Sequence, residues 1–142
     1  VQEPVKDAAK PVAAGAGVHD DVTAATEFKG PWTRALDAPH ALNRTLVWSK
    51  DPRSQVTIHF NGTAITPLHT GAPDRCEALM SLDGGEEIPF FMSYEQVRWQ
   101  ARGPRIMTSP GAHTLVIRMP HGDAGASAAT PCTIDLDGFI VE

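Results

Sequence analysis

The sequence predicts an all-β protein, an antiparallel β-sandwich or jelly roll with about eight or nine strands. Val56, Ile58 and Phe60 alternate with polar residues, which is the period-two pattern of a strand that buries one face. Turn-forming pairs such as Asn61-Gly62 recur at short intervals, and the chain contains 12 glycines and 12 prolines. Short alternating segments separated by turns favour many strands over a few long helices.

Composition places the chain among single-domain globular proteins. Its 142 residues suffice for one core, and 42% hydrophobic with 20% charged residues exclude a wholly disordered chain. A formal net charge of −5 without a basic stripe argues against nucleic acid or an anionic membrane surface as a partner. Because no long apolar run occurs, the sequence predicts no membrane span.

Residues 1–22 are rich in Ala, Pro and Gly and lack helical or strand periodicity. We expect them to form a flexible arm or linker, followed by the sandwich domain at residues 23–142. The chain begins with Val1, and no charged and apolar leader precedes the domain. We therefore interpret it as a mature or excised piece of a longer protein, from which any export signal would already be gone.

The expected strands are recognised by apolar anchors at alternating positions. In chain order these anchors are Phe28 and Trp32; Leu46 and Trp48; Val56 to Phe60; Cys76 to Leu82; Phe90; Val97 to Ala101; Leu115 to Met119; Ile134 and Leu136; and Phe139 and Val141. Pro89 cannot donate to a ladder, so the strand at Phe90 should lie at a sheet edge. The apolar parity switches at Gly138, as a β-bulge would produce. A polar loop is expected over residues 121–131.

Cys76 and Cys132 both fall on the apolar parity of their expected strands, so both should point inward. Two inward cysteines can form a single disulfide or remain as well-packed free thiols. The residues leave both alternatives open.

Candidate ligand-binding residues come from two stretches. A sugar site needs an aromatic ring for the apolar sugar face and polar groups for the hydroxyls. The expected loop over residues 69–75 offers His69, Asp74 and Arg75, and the pair Arg98 and Trp99 offers an aromatic ring beside a cation. Trp99 shares its parity with two small apolar neighbours, which favours core packing over an exposed platform.

A succession of turn and strand motifs covers residues 26–142. The motifs are Phe60-Asn61-Gly62-Thr63, the loop residues Gly71, Asp74 and Arg75, Ser81-Leu82-Asp83-Gly84, Pro110-Gly111-Ala112-His113-Thr114-Leu115 and Ile134-Asp135-Leu136-Asp137-Gly138-Phe139-Ile140-Val141. This succession resembles the galactose-binding-like jelly rolls found as carbohydrate-binding modules and as accessory domains of bacterial glycoside hydrolases and SGNH-type esterases.

The resemblance implies an accessory domain that is secreted, periplasmic or at the cell surface. Its expected partners are a carbohydrate or polysaccharide and a catalytic domain on the same chain. The resemblance also implies a structural calcium held by Glu27 and by Asp135 or Asp137. No other cofactor is expected.

The sequence lacks the arrangements that catalysis requires. No Gly-x-Ser-x-Gly elbow occurs, and the neighbouring carboxylates Glu86 and Glu87 would point to opposite faces of a strand. We therefore expect a non-catalytic carbohydrate-binding module. The alternative is a structural or docking β-sandwich that contacts other proteins and binds no sugar.

Overall fold

The computed structural model describes residues 2–5, 10–120 and 132–142. Within these residues there are twelve strands and one short 3₁₀ turn, at Leu42–Arg44. The strands are β1 (Gln2–Pro4), β2 (Gly17–Asp20), β3 (Thr26–Lys29), β4 (Thr33–Ala35), β5 (Leu46–Ser49), β6 (Gln55–Gly71), β7 (Glu77–Leu82), β8 (Ile88–Phe91), β9 (Arg98–Arg102), β10 (Ile106–Arg118), β11 (Ile134–Leu136) and β12 (Gly138–Val141). The predicted loop at residues 121–131 lies outside the described residues.

The strands form two antiparallel sheets packed as a sandwich, which confirms the predicted fold class. The small sheet has the order β1-β4-β5-β11, and the large sheet has the order β2-β12-β6-β10-β7-β8, with β3 and β9 also paired to β6. The largest fully buried side chains include those of Phe60, Phe90 and Phe139. The strand count exceeds the predicted eight or nine because short edge strands such as β1 leave no apolar alternation in the sequence.

Strand β6 is the central strand of the large sheet and pairs with four other strands. Its first half pairs with β3 and β10, and its second half pairs with β12 and β9. The turn predicted at Asn61-Gly62 is wrong, because β6 continues through both residues. Gly62 is required there for close approach, since a Cβ atom would lie 2.4 Å from the carbonyl oxygen of Glu142.

The segment predicted as a flexible arm contains two strands where it is described. Strand β1 pairs with β4 in the small sheet, and β2 pairs with β12 in the large sheet. Between them, Ala14 donates its N–H to His59 and accepts the N–H of Asn61. These residues therefore add edge strands to both sheets, although their sequence lacks strand periodicity. The division into an arm and a domain at residue 22 stays a prediction.

Gly138 marks a crossing between the sheets. Strand β11 pairs with β5 in the small sheet, whereas β12 pairs with β2 and β6 in the large sheet. The parity switch that we attributed to a β-bulge is therefore a change of sheet. Gly138 has φ 155°, and a Cβ atom there would lie 2.4 Å from the carbonyl oxygen of His19. Pro89 lies in β8, which ends the large sheet, as its missing N–H requires.

Cys76 and Cys132 form a disulfide, with their Cα atoms 5.3 Å apart. This settles the alternatives that the sequence left open. Cys76 directly precedes β7 of the large sheet, and Cys132 lies shortly before β11 of the small sheet, so the bond fastens the two layers together. Among the described residues, no helix is long and apolar enough to cross a membrane.

Candidate functional site

A small cavity beside the disulfide brings an aromatic ring together with charged groups. It has a volume of about 230 Å³ and is lined by Trp48, Lys50, Asp74, Arg75 and Thr133, which we call the Trp48 pocket. Trp48 lies in β5 and Lys50 directly follows the strand's last residue, and the two side chains meet at the pocket. Of the predicted ligand-binding residues, Asp74 and Arg75 line this pocket.

Arg75 is held in place by two carboxylates. Its Nε donates to Asp135 at 2.5 Å, and its Nη1 donates to Asp74 at 2.5 Å. Asp135 is buried and also accepts the N–H of Thr70 at 2.6 Å. Burial raises the pKa of Asp135 to about 6, while the Arg75 guanidinium opposes this shift. The guanidinium therefore has a fixed orientation in the pocket wall.

The register of the small sheet brings the indole to this ion pair. Trp48 on β5 lies opposite Asp135 on β11. Because cross-strand neighbours share one face of a sheet, the half-buried indole lies beside the Asp135–Arg75 ion pair.

Backbone hydrogen bonds attach the remaining wall to the disulfide. The N–H of Thr133 donates to the carbonyl of Asp74 at 3.0 Å, and the N–H of Cys76 donates to the carbonyl of Thr133 at 2.9 Å. Both partners of the disulfide thus adjoin residues that line the pocket. The pocket wall is held by covalent and hydrogen bonds without any ligand.

Lys50 completes the mouth of the pocket. Its Nζ lies 6.0 Å from the centroid of the Trp48 ring, at the outer limit of a cation–π contact. The Lys50 side chain is exposed, so it can move without a packing cost.

Trp99 lies on a separate surface. Its side chain is 42% exposed and contacts the ring of His40 at a centroid distance of 5.5 Å, while Gln100 donates to the carbonyl of His40 at 3.1 Å. The core packing that its parity favoured is therefore wrong. The pairing of β9 with β6 is irregular between His69 and Gly71, and Gln100 has φ 51°, so the alternation on which parity depends is interrupted here.

Arg98 is directed away from Trp99. It lies opposite Gly71 of β6, and its guanidinium stacks over the ring of Tyr94 at 4.9 Å from the centroid. A cavity of about 350 Å³ runs along residues 94–98. Neither Arg98 nor Trp99 lines the Trp48 pocket, so the five predicted ligand-binding residues do not form one site.

His69 lies in the interior. Its ring is fully buried, edge-on to Phe90 at 4.9 Å and stacked on Tyr94 at 6.0 Å between centroids. Neither ring nitrogen has a hydrogen-bond partner among the described residues. Burial lowers the pKa of His69 to about 4, and the nearby Thr70 backbone opposes this shift without forming a well-aligned bond. His69 is therefore neutral at pH 7, and its ring packs in the interior beneath Tyr94. Of the predicted loop residues, only Asp74 and Arg75 line the Trp48 pocket.

The three predicted calcium ligands take part in separate interactions. Glu27 pairs with His59, Asp135 pairs with Arg75, and Asp137 accepts the N–H of Leu42 at 2.9 Å. No group of three or more His, Cys, Asp or Glu side chains in the described ranges is arranged to hold a metal ion. Glu27, Asp135 and Asp137 do not belong to one such group, and the structural calcium stays a prediction.

Sequence reasoning missed Trp48, Lys50 and Thr133 as pocket residues. The Trp48-x-Lys50 spacing was visible, and within a strand it would place both side chains on one face. Their approach to Asp74 and Thr133 depends on which strands pair, and no local pattern reports that pairing.

Comparison with known proteins yields matches in structure. The chain matches no protein-family model and no curated protein sequence. The exo-β-1,3-galactanase of Phanerochaete chrysosporium, solved with β-1,3-galactotriose, superposes with a TM-score of 0.61 at 15% identity, covering 91% of this chain and 30% of that chain. A second structure of that enzyme gives a TM-score of 0.57 at 14% identity, covering 91% of this chain and 29% of that chain.

A cycloisomaltooligosaccharide glucanotransferase of Paenibacillus sp., solved with cycloisomaltoheptaose, gives a TM-score of 0.51 at 15% identity. The match covers 89% of this chain and 17% of that chain. The chain thus spans less than a third of each of these three structures. At such low identity the likeness shows the fold, a β-sandwich that also occurs within carbohydrate-active proteins.

Proposed function

We propose that this chain is a non-catalytic carbohydrate-binding module of the galactose-binding-like type, and that it binds sugar in the Trp48 pocket. The observation that carries the proposal is an indole ring in a concave site whose rim holds a lysine, an arginine and a carboxylate. The apolar face of a sugar ring stacks on an indole, while its hydroxyls bond to charged donors and acceptors at the rim. The carbohydrate-active structural neighbours support this choice of ligand class.

The size of the pocket favours recognition of a single sugar unit. Its volume of about 230 Å³ is below the roughly 300–1,000 Å³ of pockets that enclose drug-sized ligands. One ring of a polysaccharide, with the rest of the chain in solvent, matches this volume. Because Arg75 is already fixed by Asp135, little ordering entropy is lost when the sugar binds.

The carboxylates of the pocket support a role without catalysis. Asp74 and Asp135 both bind Arg75, and Asp135 is buried. A glycosidase needs two carboxyl groups that flank the scissile bond, one of them free to donate a proton. We therefore propose that the chain positions a catalytic domain of a longer protein on its substrate. The disulfide supports a secreted or periplasmic location, since such bonds persist in oxidising compartments.

Affinity electrophoresis on a panel of neutral and acidic polysaccharides tests the proposal. We expect retention on at least one polysaccharide, and Trp48→Ala should weaken it at least tenfold, which corresponds to about 1.4 kcal/mol of lost contact. Trp99→Ala is the matched control, because Trp99 is exposed outside the pocket. Melting curves of both variants report whether each is folded.

Unchanged retention of a folded Trp48→Ala variant would contradict the pocket assignment. Retention lost only in Trp99→Ala would move the site to β9. Turnover of nitrophenyl glycosides or acetates by the isolated chain would contradict the non-catalytic role.

The docking alternative is supported by apolar side chains at the rim of the large sheet. Phe91 on the edge strand β8 is 64% exposed, and Ile88 on the same strand is also exposed. Exposed apolar groups on an edge strand are typical of contact surfaces. If no polysaccharide retains the wild-type chain, this alternative gains support.

A further inference from the structure

We infer that the Trp48 pocket prefers a sugar that carries a carboxylate, a uronic acid unit, and that Lys50 is the residue that selects it. This inference rests on the proposed function, because it names the class of sugar for the same pocket. It depends on how charge is distributed among the pocket residues.

The positive charge of Arg75 is already compensated. Its guanidinium binds both Asp74 and Asp135, each at 2.5 Å. A ligand carboxylate would have to displace the exposed carboxylate of Asp74, because Asp135 is buried and also bonded to the Thr70 backbone. Arg75 is therefore suited to orient a sugar hydroxyl, and it does not supply a free cationic site.

Lys50 is the pocket cation without a carboxylate partner in the described part of the chain. Its sequence neighbour Asp51 accepts bonds from the Nε and Nη2 atoms of Arg53, both at 2.9 Å, and from the Arg53 backbone at 2.8 Å. The Lys50 ammonium instead lies over the Trp48 ring at 6.0 Å from the centroid. The two carboxylates balance the two cations of this region, but both carboxylates bind Arg75, so the Lys50 ammonium beside the ring is the charge left without a direct partner among the described residues.

This position discriminates between neutral and acidic sugars. A sugar that stacks on Trp48 moves the ammonium away from the ring and removes the cation–π contact. A hydroxyl of a neutral sugar accepts a hydrogen bond from the ammonium, whereas a carboxylate accepts the same bond and adds the attraction between opposite charges. Lys50 is exposed, so its side chain can follow the carboxylate without disturbing the core.

Pairs of ligands that differ only in the carboxylate charge test this inference. Oligosaccharides of galacturonic, glucuronic and mannuronic acid are each compared with their carboxyl-reduced forms, which keep the ring but lose the charge. Isothermal titration measures Kd for the full chain, and the quenching of tryptophan fluorescence provides a second readout. We expect the preferred acidic form to bind at least about tenfold more tightly than its reduced form.

The variant Lys50→Gln should bring this ratio close to one, because glutamine keeps a hydrogen-bond donor at the rim and removes the charge. Lys29→Gln, which removes an exposed lysine on β3, is the control and should keep the wild-type ratio. Both positions are exposed, so both variants should fold.

The outcomes separate this inference from the proposed function. Equal affinity for acidic and reduced forms, or Trp48-dependent binding of neutral polysaccharides alone, would overturn the uronate preference and leave the carbohydrate-binding role standing. A tenfold preference that survives Lys50→Gln would overturn the assignment to Lys50. Binding of no member of the panel would overturn both.

Discussion

Two histidines show how local surroundings set the acid response of this protein. Burial lowers the pKa of His69 to about 4. The pKa of His113 is raised instead, because its ring binds the carboxylate of Asp83 at 2.6 Å. The same side chain therefore contributes to stability with opposite signs at the two positions.

The variant His69→Leu should reduce the acid sensitivity of the fold. In the unfolded chain His69 binds a proton below about pH 6.5, whereas in the native state it stays neutral down to about pH 4, so stability falls as the pH drops through this window. We expect wild type to lose about 2–3 kcal/mol more than His69→Leu between pH 7 and pH 4. Urea unfolding at both pH values measures the difference.

The control His113→Gln should behave oppositely. Stability from the raised pKa of His113 is present below the unfolded pKa and is lost as the pH rises through the folded pKa. The variant should therefore lose more stability near pH 5 than near pH 8. Wild type and His69→Leu curves that run parallel from pH 7 to pH 4 would contradict the assignment to His69.

At the scale of elements, Gly71 allows the end of β6 to pack closely against residues 94–98. A Cβ atom at Gly71 would lie 1.8 Å from Cδ2 of Tyr94, whose ring covers His69 and stacks with Arg98. The absence of a side chain at Gly71 thus determines where this segment packs.

Gly71→Ala should displace Tyr94 and destabilise the fold by roughly 1–3 kcal/mol, as overpacking of a tight site does. Gly15→Ala is the matched control, since nothing lies within 4 Å of a Cβ atom there. Melting curves and near-ultraviolet circular dichroism report the loss of stability and the moved tyrosine. A Gly71→Ala protein that melts at the same temperature as Gly15→Ala would show that Tyr94 moves without cost.

The sequence predicted single strands more reliably than it predicted which strands pair. The alternation at Val56, Ile58 and Phe60 identified a half-buried strand, and the structure buries all three. Gly62 was taken as a turn because glycine serves both turns and close backbone contacts, and only the fold distinguishes these uses. Only part of the site was predicted from the sequence. Trp48, Asp74 and Thr133 come from three distant segments, and only the pairing of the strands brings them together.

At the scale of the whole molecule, the disulfide is the covalent link between the layers. It joins residues 56 positions apart and borders the Trp48 pocket. A link across a loop of this length restricts the unfolded chain, and the loop-entropy model gives about 4 kcal/mol of stabilisation.

The double variant Cys76→Ala/Cys132→Ala should lower the free energy of unfolding by about 2–4 kcal/mol. Alanine is chosen because Cys76 is buried, where a serine hydroxyl would need a partner. Urea titration of the oxidised wild type and the variant measures the change. An unchanged midpoint would mean that packing between the sheets alone holds the layers together.

Strand β6 also has a consequence for synthesis on the ribosome. Its second half needs β12 on one edge and β9 on the other. While the nascent chain still lacks residues 138–141, the edge at residues 65–68 has open backbone donors and acceptors beside apolar side chains. Such an edge pairs readily with other strands. Translation speed and chaperone access between β9 and β12 should therefore affect the soluble yield more than the same factors acting before β6.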